Sequence, residues 1–382
     1  MITTLQIPSR VITGVGSVSR LQEEITRLGG TNVLLLCDVI LVDNGIISQV
    51  TEQLQLPYTL YSHIIPEPPI SSFEETLAFA KQGEYDVILA VGGGSTIDVA
   101  KLVSVMMTNE GSVRDYFGVN LIPKEGMPLI AVPTTAGTGS EVTPISILTL
   151  EEEAVKKGIV SPYLIPKTAI LDAALTTSMP KAVTAATGLD AFVHALEGYL
   201  SMGPNRSQLT DAFCLEAMSV IWKNIRRAYC NGDDLEARSQ MLYAAMVAGV
   251  GFANAGVGAV HALAYPLGAR FHVSHGVANS LLLPYVMKWN KVACLERFVN
   301  VAQTIGLPTT GKTARALADE VIEEIVVLSR ELGIPQRLRE VGVKEEDLKG
   351  MAEAASKEQR LLQNNPRKLS PDDIYQIYKE AW

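Results

Sequence analysis

DVILAVGGGSTIDVAKLVSVMM, residues 86–107, runs from an apolar strand through three glycines into a helical stretch. The strand has no polar alternation, so both of its faces are read as covered, as in a parallel sheet flanked by helices. The glycines let a phosphate approach the backbone, and the N–H groups of the helix start, capped in this reading by Ser95 or Thr96, are positioned to bind it. The spacing is not GxGxxG, so the ordinary dinucleotide fingerprint is absent. A second turn, PTTAGTGSEVTP at 133–144, sets Thr134, Thr135, Thr138, Ser140 and Thr143 around the carboxyl end of another strand, with Ser146 just beyond. Open α/β sheets bind ligands at such ends.

Moving outward, VLLLCD at 33–38 and LIAVPTT at 129–135 repeat the buried-strand pattern. After Pro180 the texture changes. Stretches 207–229, 235–255, 312–332 and 370–381 carry apolar residues at three- and four-residue spacing, which predicts helices. Ser370 followed by Pro371, Asp372 and Asp373 supplies an N-cap, a first-turn proline and dipole-favourable acids. We therefore expect an α/β domain over 1–179, a parallel Rossmann-like sheet, and an all-α domain over 180–382.

The chain has 382 residues, 32 basic against 41 acidic, for a net charge of −9 with no Lys/Arg cluster. That argues against general nucleic-acid or anionic-membrane binding. Cys37, Cys214, Cys230 and Cys294 form no CxxC pair, which suits reduced thiols. The start, MITTLQIPSR, lacks a signal-peptide apolar core, and no run of about 18 apolar residues occurs, so a cytoplasmic protein is expected.

The chain has five histidines. In TGLDAFVHALEGYL, Asp190 and His194 are four apart and share one helix face. Glu197 lies near that face and is read as a solvated helix acid. GAVHALAYPLGARFHVSHGVAN places His261 and His275 around a Pro/Gly-broken segment, and spacing does not separate His272 from the set. His63 reads as ordinary surface. One carboxylate with imidazoles and no thiolate suits Fe²⁺, Zn²⁺, Mn²⁺ or Co²⁺, although such a pair four apart also arises without a metal. GLPTTGKT, 306–313, matches the P-loop pattern with Lys312 and Thr313. The preceding LERFVNVAQTI has helical spacing rather than a strand, so we read it as an interhelix loop.

Together, GGGSTIDVAK, PTTAGTGSEVTP, ATGLDAFVHALEGYL and VHALAYPLGARFHVSHGVANSLLLPYV closely resemble the iron-containing, or group III, alcohol dehydrogenases, and the likeness runs on to NNPRKLSPDDIYQIYKEAW. The resemblance implies a dehydroquinate synthase-like two-domain architecture with a catalytic cleft between a nicotinamide-binding and a metal-binding domain. It implies metal ligands Asp190, His194, His261 and His275, with Fe²⁺ foremost and Zn²⁺ as the other choice. For the cofactor it implies a pyrophosphate turn at Gly93, Gly94 and Ser95 with Asp98 nearby, a threonine loop at Thr134, Thr135, Thr138 and Thr143, and a lysine at Lys156, next to Lys157. Asp38 matches the family's acid at the adenosine ribose, which favours NAD over NADP because a carboxylate repels a 2′-phosphate. The implied partners are a small alcohol or aldehyde and further copies of the chain, as a homodimer or larger assembly.

Three departures stand out. Tyr265 replaces a histidine to which a proton-relay role is credited, and a phenol of ordinary pKa near 10 relays less readily at neutral pH than an imidazole near 6.5. The frequent EPNPT turn reads EPPIS, with Pro69 in place of asparagine. Arg270 and His272 replace residues that are often apolar or aromatic, which suggests Arg270 as a grip for an anionic substrate; a solvent-facing arginine is the other reading. The expected chemistry is hydride transfer between NAD(H) and a metal-polarised alcohol or carbonyl. The alternatives are a hydroxyacid–oxoacid transhydrogenase with retained cofactor and a non-catalytic, metal-stabilised protein.

Overall fold

β1 (Arg10–Thr13), α1 (Leu21–Arg27), β2 (Val33–Leu36), α2 (Val39–Asp43), α3 (Ile46–Thr51), β3 (Tyr58–Tyr61), α4 (Ile70–Ala80), β4 (Val87–Gly92), α5 (Gly94–Met106), β5 (Gly118–Val119), β6 (Leu129–Pro133), β7 (Ile145–Leu150), β8 (Val155–Val160) and β9 (Thr168–Leu171) make up the first compact unit, Gln6–Met179. The structure is a computed structural model and describes residues 2–152 and 155–382. Six strands form a wholly parallel sheet in the order β1-β9-β6-β4-β2-β3.

Why these strands lack alternation is visible in the packing. Leu34, Leu36, Ile88, Ala90, Leu129 and Ala131 enter one apolar cluster, while Val33, Leu35, Val87, Leu89, Ile130 and Val132 enter another. With period-two geometry each strand feeds both faces, and each face is covered. Burying each Val, Leu or Ile contributes roughly 1.5–3 kcal/mol over leaving it in water. Beside the main sheet, β7 and β8 pair antiparallel and β5 adds to β8. Nothing in the apolar pattern of the sequence separates this antiparallel pair from its surroundings.

The second unit, Pro180–Trp382 joined by the N-terminal residues up to Leu5, is helical. It comprises α6 (Lys181–Leu200), α7 (Gln208–Cys230), α8 (Leu235–Ala255), α9 (Ala259–Phe271), α10 (His275–Asn290), α11 (Leu295–Thr304), α12 (Ala314–Glu331), α13 (Leu348–Ala355), α14 (Gln359–Leu362) and α15 (Pro371–Ala381). The expected helices at 207–229, 235–255, 312–332 and 370–381 are α7, α8, α12 and α15. Ser370 caps α15, with its Oγ accepting from Asp373 N at 3.1 Å and Pro371 in the first turn. The P-loop look-alike joins α11 to α12, where Thr313 caps α12 and Lys312 pairs with Glu320 at 2.6 Å. No single helix among the described residues is long and apolar enough to cross a membrane; α8 and α9 pass together on length and composition, but the pair bends by 106°.

Candidate metal centre and nucleotide turn

α6 is the central helix of the metal centre. Nearly every residue from Thr184 to Leu200 is buried, including the polar Asp190, His194 and Glu197. α9 contributes His261 in its first turn, and α10 begins at His275. Gly276 lets α10 approach α6, because a Cβ there would lie 2.5 Å from the Ala186 carbonyl oxygen. Each of Asp190, His194, His261 and His275 offers one donor atom, and all four atoms lie within 4.8 Å of one another. Asn279, one turn along α10 from His275, marks where three of them converge. Its Nδ2 is 2.7 Å from Asp190 Oδ1, 3.2 Å from His261 Nε2 and 3.1 Å from His275 Nε2. The His194 ring stacks on Phe252, with centroids 4.2 Å apart, so one wall is aromatic. Burial pushes the Asp190 carboxyl up, but the imidazoles of His194, His275 and His261 and the Asn279 amide outweigh it and hold the group below the usual carboxylate range. One carboxylate and three imidazoles, convergent and buried except for the part-buried His275, fit a borderline divalent cation.

Glu197 corrects the sequence reading. Instead of facing solvent it is 3% exposed. Its Oε1 accepts from Val260 N at 2.7 Å, and its Oε2 accepts from His261 N at 3.4 Å and lies 2.6 Å from His261 Nδ1. It therefore caps α9 from a neighbouring helix while touching the ring of one donor. The signal was present in the sequence: positions 190, 194 and 197 share one face of a helix that carries no other charge between Lys181 and Leu200.

In the α/β unit the turn after β4 opens α5. The N-cap is Gly93 and no side chain caps it, contrary to the expected Ser95 or Thr96 cap. Ser95 Oγ instead accepts from Glu67 N at 3.1 Å, and Thr96 is buried beneath Gly92. A Cβ on Gly94 would stand 2.7 Å from Thr138 Cγ2, so the close approach of the threonine turn requires glycine there. An uncapped helix start beside glycines fits a phosphate. Thr135 and Thr138 are the part-buried residues of that second turn, and Thr134 N donates to Gly92 O at 3.1 Å.

Asp98 and Thr143 point elsewhere than the sequence suggested. Lys101, fully buried, donates to Ser140 Oγ at 2.8 Å, Thr143 Oγ1 at 3.0 Å and Ile145 O at 2.8 Å. Asp98 accepts from Ser140 Oγ at 2.5 Å and from Ile147 N at 2.9 Å, and Ser146 Oγ donates to its carbonyl at 3.0 Å. Composition could count these hydroxyls but not tell which side of the turn they face. Burial depresses the Lys101 ammonium to about 8 and raises the Glu141 carboxyl to about 7. Lys156, on β8, is nearly buried with its Nζ 3.0 Å from Glu67 Oε1, which links it through Glu67 to Ser95 at the start of α5. Asp38 follows β2 and caps α2, its Oδ1 accepting from Leu41 N at 3.2 Å; burial pushes its carboxyl up. Pro69 caps α4 in extended conformation, and Pro68 O accepts from Thr149 N at 2.9 Å.

Tyr265 lies one turn from His261, with its ring centroid 6.4 Å from that of His275. Arg270 is not brought to the cluster. It stands nine residues, two and a half turns, beyond His261 on α9. It is exposed, and its Nη1 lies 2.9 Å from where a Cβ on Gly350 of α13 would be. His272 is exposed in a left-handed conformation that ends α9 (φ 54°), and His63 is exposed in a loop.

Comparison with known proteins agrees across both units. The model for iron-containing alcohol dehydrogenase matches residues 8–173, and that for the C-terminal part of the Fe-containing alcohol dehydrogenase family matches 184–382. Long-chain-alcohol dehydrogenase 1 of Geobacillus thermodenitrificans (strain NG80-2) is 40% identical over 97% of this chain and 94% of its own length. The NAD-dependent methanol dehydrogenase of Bacillus methanolicus is 35% identical over 99% of this chain and 100% of its own. The crystal structure of a 1,3-propanediol oxidoreductase superimposes with a TM-score of 0.97 at 37% identity, covering 100% of both chains. With both halves matched in order, the chain belongs to the iron-containing alcohol dehydrogenase family and is an NAD(H)- and metal-dependent oxidoreductase of alcohols and aldehydes.

Proposed function

We propose that Asp190, His194, His261 and His275 hold the metal, and that Gly93, Gly94 and Ser95 with Thr134, Thr135 and Thr138 hold the NAD(H) pyrophosphate and nicotinamide. The observation that carries this is the convergence of four donors, three buried and His275 part-buried, on one point. When bound, the cation supplies Lewis acidity to a substrate oxygen, and the nicotinamide gives or takes the hydride. The protein's residues do the rest. α6, α9 and α10 fix the donors in a region that excludes water, and Phe252 backs His194. Tyr265 is the phenol beside His275 that holds the substrate's hydroxyl proton. The α5 start binds phosphate through its N–H groups, Lys156 supports that turn through Glu67, and Asp38 takes the ribose hydroxyls of NAD rather than a 2′-phosphate. Asp98 and Thr143 shape the threonine turn from beneath.

The substrate we infer is a small uncharged alcohol or its aldehyde. The cation nearest in sequence to the donors, Arg270, is exposed and stands two and a half turns beyond His261 on α9. A cytoplasmic homo-oligomer completes the reading. The test is NADH consumption by enzyme loaded anaerobically with Fe²⁺ or Zn²⁺, against neutral aldehydes and acidic semialdehydes. Metal-dependent turnover of neutral aldehydes is expected; NADH binding without turnover of any aldehyde would overturn it. Arg270→Leu is expected to leave the ratio of kcat/KM for acidic and neutral aldehydes within about twofold. A selective rise in KM for the acids would restore Arg270 as an anion reader.

A further inference from the structure

We propose that Glu197 is a positioning residue that sets the tautomer of His261, so that Nδ1 carries the proton and Nε2 presents its lone pair to the metal; this rests on His261 being a ligand. The ring of His261 lies between an amide and a carboxylate. Asp190 Oδ1, a carboxylate oxygen, accepts from the Asn279 amide at 2.7 Å, so the amide atom facing the cluster is the nitrogen. That nitrogen has two N–H groups for three neighbours, Asp190 Oδ1, His261 Nε2 at 3.2 Å and His275 Nε2 at 3.1 Å, so it is compatible with an acceptor at His261 Nε2 without requiring one. The direction is set on the other side of the ring, where Glu197 Oε2, a carboxylate oxygen 2.6 Å from Nδ1, can only accept, so the proton of a neutral imidazole sits on Nδ1. The carboxylate thus specifies the tautomer. Glu197 also takes Val260 N and His261 N, so one carboxylate fixes both the start of α9 and the ring it carries. Carboxylates that accept from the far nitrogen of a ligating imidazole raise its basicity and hold its orientation.

Substitutions separate the two tasks. In Glu197→Gln, Oε1 still accepts from Val260 N, but the amide nitrogen facing His261 Nδ1 can only donate, which drives the ring proton to Nε2. Glu197→Ala loses the helix cap as well. Co²⁺ is the probe, titrated through its visible absorption bands, with melting temperature, NADH affinity and the assigned ring-nitrogen NMR of His261 read in parallel. Relative to wild type, Glu197→Gln is expected to bind Co²⁺ about 10–100-fold more weakly, to carry the His261 proton on Nε2, to melt above Glu197→Ala and to bind NADH unchanged. Wild-type Co²⁺ affinity in Glu197→Gln would overturn the proposal, as would equal losses of affinity and melting temperature in both variants. So would a wild-type protein whose His261 carries its proton on Nε2, a measurement that needs no variant to fold. Failure of the wild type to bind Co²⁺ would overturn the ligand assignment instead.

Discussion

On the proposed ligand set, His261→Ala is expected to lower kcat/KM for aldehyde reduction by more than about 10³-fold, because the metal's several kcal/mol of stabilisation of developing charge would be lost with the ligand. Asp190→Asn does the same while preserving shape, since it removes the one carboxylate in the donor set. Both variants fail to retain stoichiometric metal after dialysis, and both bind NADH as the wild type does, because the nucleotide turn belongs to the other unit. Metal content, NADH fluorescence titration and steady-state rates check this together. A variant that melts earlier but keeps its turnover would make the cation a structural one, and a wild type with no turnover to lose would revive the non-catalytic reading.

Lys101→Met is expected to destabilise the α/β unit by about 3–5 kcal/mol, the usual cost of leaving one charge of a buried pair without its partner. Lys101 Nζ is 3.9 Å from Asp98 Oδ1, and its side chain is wholly buried against three oxygen acceptors. The expected fall in melting temperature is roughly 6–20 °C, with weaker NADH binding because the threonine turn loses its tether. Adding Asp98→Asn to Lys101→Met recovers part of the loss, since the remaining partner is then neutral. The pH dependence has a definite sign. With a folded pKa of about 8 against an unfolded value near 10.4, the native state releases this proton first as pH rises. Between those values the unfolded chain holds more protons, so this lysine makes stability increase with pH, and Lys101→Met removes that slope. Calorimetry across the range measures it; an unchanged slope would mean that Lys101 titrates normally.

The sheet and the helices were legible because their patterns follow from burial alone. Strands such as Val87–Gly92 are apolar on every residue, and α15 carries its cap, proline and acids in order. The four donors were legible through their spacing and the family motifs. What escaped depends on direction rather than composition. Spacing alone reads Glu197 as a solvated acid although its helix face is buried, and no motif singles out Asn279 although it lies one turn from His275. Arg270 was placed by proximity in sequence, whereas helical phase carries it half a turn out of register with His261. Asp98 and Thr143 were counted toward the cofactor because nothing in a string of hydroxyls tells which ones turn inward to Lys101.

The donors come from three helices, α6, α9 and α10, with Asp190 made first and His275 last. At about 5–20 residues per second, ribosomal synthesis completes the nucleotide-binding unit before the first ligand exists, and the last follows roughly 4–17 seconds after Asp190. The four-donor set is therefore complete only once the start of α10 has been made, so shorter nascent fragments offer a cation fewer donors than the folded unit does.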